Sequence, residues 1–309
     1  MTLEIIAPRD VPLGGPRAMT VRRTLPTRSR TLVGPWCFVD HYGPDEVARS
    51  GGMLVPPHPH TGLQTVSWLF EGEIEHRDTT GAHGLVRPGE VNLMTAGHGV
   101  AHSEVSTPGT RVLHGAQLWL ALPDAARAAA PAFEHHVPEV LRAGAAELRV
   151  FVGSYAGASS PVRTYSPVVG VEVVVPAGAR AALALDPAYE HALLVDRGPV
   201  TVDGEPLAVE ELGFLRAGRD GVELSDGGGG GVRLMLLGGA PFGEEILMWW
   251  NFVARTHEEI VEQRDAWQAR SSRFGGVPGY VGDPSWLPAP ELPHARLRPR
   301  TNPVDRPRT

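Results

Sequence analysis

Turn-forming residues punctuate this chain so densely that they restrict its fold before anything else is considered. It carries 37 glycines and 29 prolines in 309 residues, the two residue types that most often end or redirect regular structure. Between them lie short runs rich in branched and aromatic side chains, at 65–70, 91–94, 112–122, 148–152, 171–175 and 193–195. Such runs fit strands, and strands of this length at intervals of about 8–12 residues build a sandwich or barrel. Helical signals are few. An Ala-rich stretch at 124–130 is short. The segment 256–269 is better: Thr256 with Glu259 three residues on has the form of a capping box, and Ile260, Val261 and Trp267 give a sparse apolar stripe. A chain of this length suits two domains, or one large α/β barrel.

A weak internal repeat favours two domains. Leu69-Phe70-Glu71-Gly72-Glu73 leads to Pro88-Gly89-Glu90 and then Met94-Thr95-Ala96-Gly97; Leu194-Val195-Asp196-Arg197-Gly198 leads similarly to Leu215-Arg216-Ala217-Gly218. Each copy reads as a strand, a glycine turn, a hairpin arm and a strand closed by Ala-Gly, which predicts two copies of one β-barrel unit. Pro131, Pro138 and the Ala/Gly-rich stretch at 143–146 separate the copies. The expected division is therefore 1–140, then 141–275 including the helix, then a Pro/Arg-rich tail at 276–309 that lies over the surface or stays disordered.

Composition excludes several classes. With 28 basic and 35 acidic residues the net charge is −7, and no basic run precedes the extreme C-terminus, which argues against direct nucleic-acid binding. The single cysteine, Cys37, excludes an intrachain disulfide framework and any multi-cysteine metal centre. No apolar stretch approaches the ~18–20 residues of a membrane span, and the first residues lack the pattern of a secretory leader. The expectation is a cytoplasmic, monomeric protein with no membrane contact.

The chemistry concentrates in two short motifs. His58-Pro59-His60 lies between the Pro56-Pro57 turn segment and a β-rich run, and His102-Ser103-Glu104 follows the turn glycines Gly97 and Gly99. In an extended segment, residues i and i+2 point to one face. Two such strands facing each other would bring three imidazoles and one carboxylate together. That donor set suits Fe(II), Mn, Ni, Cu or Zn and argues against Ca or Mg. Histidines near turns are also commonly exposed and without a role, so each pair alone says little.

The stretch His58-Pro59-His60-Thr61-Gly62, then Glu71 to Asp78, Pro88-Gly89-Glu90, Met94-Thr95-Ala96-Gly97 and His102-Ser103-Glu104, resembles the signature of the pirin family in the cupin superfamily. Val33-Gly34-Pro35-Trp36, Trp249 to Val253 and Arg255 to Ile260 extend the resemblance over about residues 5–270. It implies an all-β bicupin: two jelly-roll-type barrels in tandem, a short C-terminal helix and an extended tail, with one metal ion, usually iron, in the N-terminal barrel. Carried over by position, the ligands are His58, His60, His102 and Glu104. Position 64, where pirins usually have Glu, is Gln64 here, which puts any supporting role of that position in doubt. Counting from the matched glycines, the second copy has Asp186 and Glu223 at the ligand positions, with His191 isolated nearby, so the second barrel is expected to be structural.

Other residues read more simply as structure. His76 and Asp78 suggest a hydrogen bond across the barrel rim. His83, His98, His135 and His136 suggest surface positions, with His98 close enough to His102 to watch. Cys37 reads as a buried thiol, Trp249-Trp250 as core or interdomain packing, and Asp226 with Gly227 to Gly231 as a flexible hairpin loop rather than a phosphate loop.

Two functions from different classes remain open. Some pirins cleave quercetin with O2, so the resemblance implies a dioxygenase acting on a flavonol or another small phenolic or enolic compound, with Glu104 as general base. Other pirins bind transcription factors or metabolic enzymes, which implies a redox-sensing regulator with a protein partner. Both require the same four ligands.

Overall fold

The computed structural model describes residues 3–13 and 19–302. Residues 1–2, 14–18 and 303–309 lie outside the described part, and with them the start of the chain and the end of the expected tail. Regular structure is nearly all strand, and the helices among the described residues are Val47–Ser50 and His257–Gln268. Each predicted run falls on a strand, for example 65–70 within Leu63–Glu71 and 148–152 within Ala146–Tyr155. The Ala-rich stretch at 124–130 is not helical. It makes successive turns, Ala126 N to Pro123 O at 2.8 Å and Ala129 N to Ala126 O at 2.9 Å. Pro123 and Pro131 bound it, and so short a piece cannot offset the cost of helix nucleation. In His257–Gln268, Thr256 caps Glu259 as expected, but the buried positions are Ile260, Gln263 and Trp267 rather than Val261. Among the described residues no helix is long and apolar enough to cross a membrane.

The sequence repeat is structural. In the first unit a four-stranded sheet runs Leu54–His60, Val100–Ser106, Ile74–Asp78, His83–Val86; the larger sheet has the central order Val91–Thr95, Leu63–Glu71, Val112–Ala121, Trp36–Glu46. The second unit repeats both orders, as Arg180–Ala184, Gly221–Asp226, Val200–Val202, Glu205–Leu207 and as Leu212–Leu215, Glu190–Arg197, Val232–Gly239, Val168–Val175. This is the tandem jelly-roll architecture that the resemblance implies.

The chain crosses between the units at its ends. Ala132–His136 closes the edge at Val91–Thr95, whereas the equivalent edge of the second unit, Leu212–Leu215, is closed by Glu4–Ile6 from the N-terminus. The tail is ordered as far as it is described. Arg300 and Ile246 exchange backbone hydrogen bonds of 2.8 and 3.1 Å, and the Asn302 side chain accepts from Thr31 N and Leu32 N at 2.9 Å. Trp286, Leu292 and Leu297 pack against the cluster of Phe252, Ile260 and Trp267, and that burial holds the tail down. We propose a division near residue 140 with these terminal segments exchanged.

The two interiors differ in chemistry. Ala181, Leu183, Val200, Val202, Val222 and Leu224 fill the second with aliphatic side chains. In the first, one apolar cluster around Leu63, Met94 and Trp119 and another around Leu69, Ile74 and Leu113 leave a buried polar group: His58, His60, His76, His102, Glu104, Ser67 and Gln117. Burying such groups is costly unless they are paired or ligating.

A third cluster, including Trp36, Trp68, Phe151 and Phe214, spans both units. Beside it, Nε2 of His41 and of His114 lie 2.8 and 2.6 Å from one oxygen of Asp196, and Arg233 holds the other oxygen. Three ligating groups meet here, but Arg233 already holds the second Asp196 oxygen and the charge of Arg22 acts on His41. A divalent cation would add like charge, so this is an ion-pair junction between the units. Burial alone would raise the Asp196 carboxyl; the bonds from His114 and His41 and the Arg233 charge outweigh it and hold it well below the usual carboxylate range. Asp196→Asn is expected to cost about 1.5–3 kcal/mol at pH 7, because it removes the charge from a fully buried carboxylate that His41, His114 and the half-buried Arg233 share. Folding lowers this pKa, so the contribution exists above the unfolded value of about 3.9 and fades as the pH falls below it. Urea unfolding of both proteins at pH 7 and pH 3 checks this. A gap that does not narrow in acid would assign the loss to packing instead of charge.

Candidate metal centre

Prolines set the first pair of histidines. Pro56, Pro57 and Pro59 fix their own φ and push each preceding residue towards extended conformation, and their missing N–H groups are tolerated because Leu54–His60 is an edge strand, paired only with Val100–Ser106. Pairing places His102 opposite His58, then shifts so that Glu104 faces Val55. The extra residue falls in the Pro-Pro segment, a bulge that re-aims the side chains around it. After His60 the chain turns through Gly62, whose φ is +68°. A Cβ there would lie 2.1 Å from the Val253 carbonyl oxygen, and Val253 N donates to Thr61 O at 3.0 Å. A segment from the far end of the chain thus clamps the turn carrying His60.

The three imidazoles of His58, His60 and His102 converge, with ring centroids 5.0, 4.3 and 4.9 Å apart and ligating atoms within 4.8 Å of one another. Glu104 is buried beside them, and its carboxylate groups with His102 and with His76. His58, His60 and Glu104, with Gln117, Trp119 and Trp250, line a cavity of about 490 Å³; His102 sits deeper.

The tautomers suit metal binding. His58 Nδ1 lies 2.9 Å from Pro56 O, so it carries the proton and leaves Nε2 free. His102 Nε2 is buried without a partner, while its Nδ1 is 3.4 Å from His76 Nδ1 and His76 Nε2 is 3.0 Å from Asp78 Oδ2. Read as His102 N–H to His76, then His76 N–H to Asp78, this chain keeps the His102 lone pair on the cavity side. Burial would raise Asp78, but hydrogen bonds from His76 and Thr80 outweigh it and keep the carboxyl ionised. His60 Nδ1 is buried without a well-formed partner; the acceptor acting on this ring is the main-chain carbonyl of Asn251. Burial pushes His58 down to about 4 and His60 and His102 well below the ordinary histidine value. All three are neutral at pH 7, as ligands must be. Burial also raises Glu104, against the influence of His76 and a 3.4 Å contact from Ser67 Oγ. Orphaned lone pairs of neutral imidazoles beside a carboxylate fit a mid-series divalent metal and are costly without one.

Other candidates fall elsewhere. The His76–Asp78 bond is present, but it lies along one strand behind His102 rather than across the rim. Neither the resemblance nor i, i+2 spacing exposed the His76–His102 contact, which depends on the pairing of strands distant in sequence. Gln64 faces away from the cluster, donating to Thr95 Oγ1 and Arg163 O at 2.8 Å. His83 and His135 pair with Glu75 and Glu90, His136 lies on the edge strand Ala132–His136, and His98 meets Ala129 O. Cys37 is fully buried, and burial pushes its thiol up. In the second unit Glu223 is exposed and pairs with Arg180, and no group of three ligating side chains lies within that unit among the described residues. The Asp226 loop is tied by its own carboxylate, which accepts from Gly178, Gly228, Gly229 and Gly231 N. Trp249 and Trp250 pack on the cluster of Phe252 and Trp267 as expected, and Trp250 also lines the cavity.

Comparison with known proteins agrees with this geometry. The pirin family model matches residues 18–120 and that of the pirin C-terminal cupin domain matches 170–275. A Pseudomonas aeruginosa protein, whose name of quercetin 2,3-dioxygenase is provisional, is 45% identical over 293 residues, 94% of this chain and 91% of that one. A pirin-like protein of Caulobacter vibrioides is 38% identical, covering 81% and 88%. The crystal structure of a quercetin 2,3-dioxygenase from Acinetobacter baumannii superposes with a TM-score of 0.90 at 38% identity, covering 97% of this chain and 98% of that one. Family models match both halves of the chain and its fold agrees, and the chain belongs to the pirin family.

Proposed function

We propose that this protein is a mononuclear metal-dependent dioxygenase that cleaves flavonols such as quercetin, with iron(II) held by His58, His60, His102 and Glu104. The observation that carries this reading is the convergence of three neutral, buried imidazoles, with Glu104 grouped with His102, behind a cavity that His58, His60 and Glu104 line. The names of the P. aeruginosa and A. baumannii relatives support the substrate class. When bound, the metal supplies a Lewis acid that lowers the pKa of a substrate hydroxyl. The protein's own groups do the rest. Glu104, with its carboxyl raised by burial, accepts the proton of the enol hydroxyl. Beside it, Ser67 Oγ lies 3.4 Å from the Glu104 carboxylate and donates to Gln117 Oε1 at 2.9 Å. The test is aerobic consumption of quercetin by iron(II)-loaded protein, with His60→Ala as control. Turnover by the wild type alone is the expected result; no turnover at full metal occupancy would remove the enzyme reading and leave partner binding as the role of the site.

A further inference from the structure

Leu247–Trp249 and Phe252–Ala254 form a two-residue hairpin in which Trp249 pairs with Phe252. Its turn is Trp250-Asn251, and Trp250 has φ +51°. Tight hairpin turns place glycine or asparagine at such a position, and a bulky residue there is an outlier. Outliers of this kind persist where surrounding contacts enforce them, often at functional sites. Here the contacts are those that clamp Thr61-Gly62, so the strained residue is fixed at the rim of the cavity that His58, His60 and Glu104 line.

The half-buried indole packs in part on the cluster of Leu247, Phe252 and Trp267 and also lines the cavity. Its ring neighbours are Trp249 and Phe252, at 6.4 and 5.5 Å, and it makes no ring contact with Trp119, which lines the same cavity and stacks on Phe38 at 4.0 Å. Neither indole N–H has a partner within the protein. Gln117 uses its oxygen on Ser67 and leaves its amide N–H groups free. The cavity therefore presents aromatic surface and free donors, with Glu104 as its acceptor. That combination fits a flat aromatic ligand bearing oxygen atoms.

We propose that Trp250 is the specificity-determining residue of this cavity, its strained turn holding the indole against a planar, oxygen-bearing aromatic ligand. The inference rests on the flavonol reading for its ligand class but is tested by binding rather than turnover. Iron(II)-loaded wild type, Trp250→Ala, Trp250→Phe and Trp250→Gly are titrated anaerobically with quercetin and with ascorbate, a compact non-aromatic enediol, and their metal content and thermal midpoints are measured. Trp250→Ala and Trp250→Gly should bind quercetin about tenfold or more weakly, with ascorbate affinity and metal content unchanged. Trp250→Phe should recover most of the affinity. Trp250→Gly, free of the unfavourable φ, should melt above Trp250→Ala, separating lost affinity from lost fold.

Quercetin affinity in Trp250→Ala within twofold of wild type would overturn the inference. So would an equal loss for ascorbate, a loss of metal, or a wild type that binds no planar polyphenol. The two readings fail separately. Wild type that binds quercetin through Trp250 but does not consume it removes the dioxygenase reading alone; turnover with an unchanged KM in Trp250→Ala removes this inference alone.

Discussion

Glu104→Gln protein is expected to fold, to hold its metal with reduced affinity, and to consume flavonol about 10²-fold more slowly or worse at saturating metal. The side chain is buried beside the histidines, where burial raises its carboxyl while the neighbouring His76 and Ser67 moderate the shift. A carboxylate of raised pKa is a stronger base, which favours general-base catalysis. Glutamine keeps the volume and one oxygen donor, and the contact with Ser67 Oγ survives on that oxygen. What it loses is basicity and one negative charge. Three imidazoles retain a divalent metal with less help, so metal content falls at limiting metal and recovers at saturation, whereas turnover does not recover. Metal content and quercetin consumption measured on the same samples separate the two effects. Full activity in a metal-replete Glu104→Gln protein would remove the base role and leave Glu104 as a ligand at most.

The parts of this site legible in the sequence are those set by short-range geometry. His58 with His60 and His102 with Glu104 share a face because strand side chains alternate, and the prolines beside His58 force the extended backbone that makes the alternation hold. The repeat was legible because turn glycines recur with the strands they separate, and the same strand order in both units follows. What escaped depends on register and on distant segments. His76 meets His102 only because Ile74–Asp78 pairs beside Val100–Ser106. Closure of the second unit's sheet edge by Glu4–Ile6 joins residues about two hundred positions apart, and nothing local marks it. Gln263 is buried where Val261 was expected because it accepts from Thr61 Oγ1 at 2.9 Å, a polar contact that an apolar stripe cannot reveal. Trp250 packs as its aromatic neighbours suggest; its positive φ and its place at the cavity have no signature in composition.

Replacing His58 and His102 together by Ala is expected to reduce bound metal from one equivalent per chain to less than about a tenth at matched free metal. The two rings are the closest of the three, 4.3 Å between centroids, and each holds a lone pair towards the cluster by a separate device: the Pro56 carbonyl for His58, the His76–Asp78 chain for His102. Removing both leaves His60 and Glu104, too few donors to compensate a divalent ion for its lost hydration. The fold should survive, because the apolar clusters flanking the polar group contain neither histidine. A second readout follows from linkage. A ligand at a hundred times its Kd stabilises the folded chain by about 2.7 kcal/mol, so added iron(II) should raise the melting temperature of wild type and leave the double variant unmoved. Elemental analysis together with melting in the presence and absence of iron(II) decides the matter. Two equivalents in wild type would demand a second site. Unchanged occupancy in the double variant would mean that the convergence of these imidazoles is not what holds the ion.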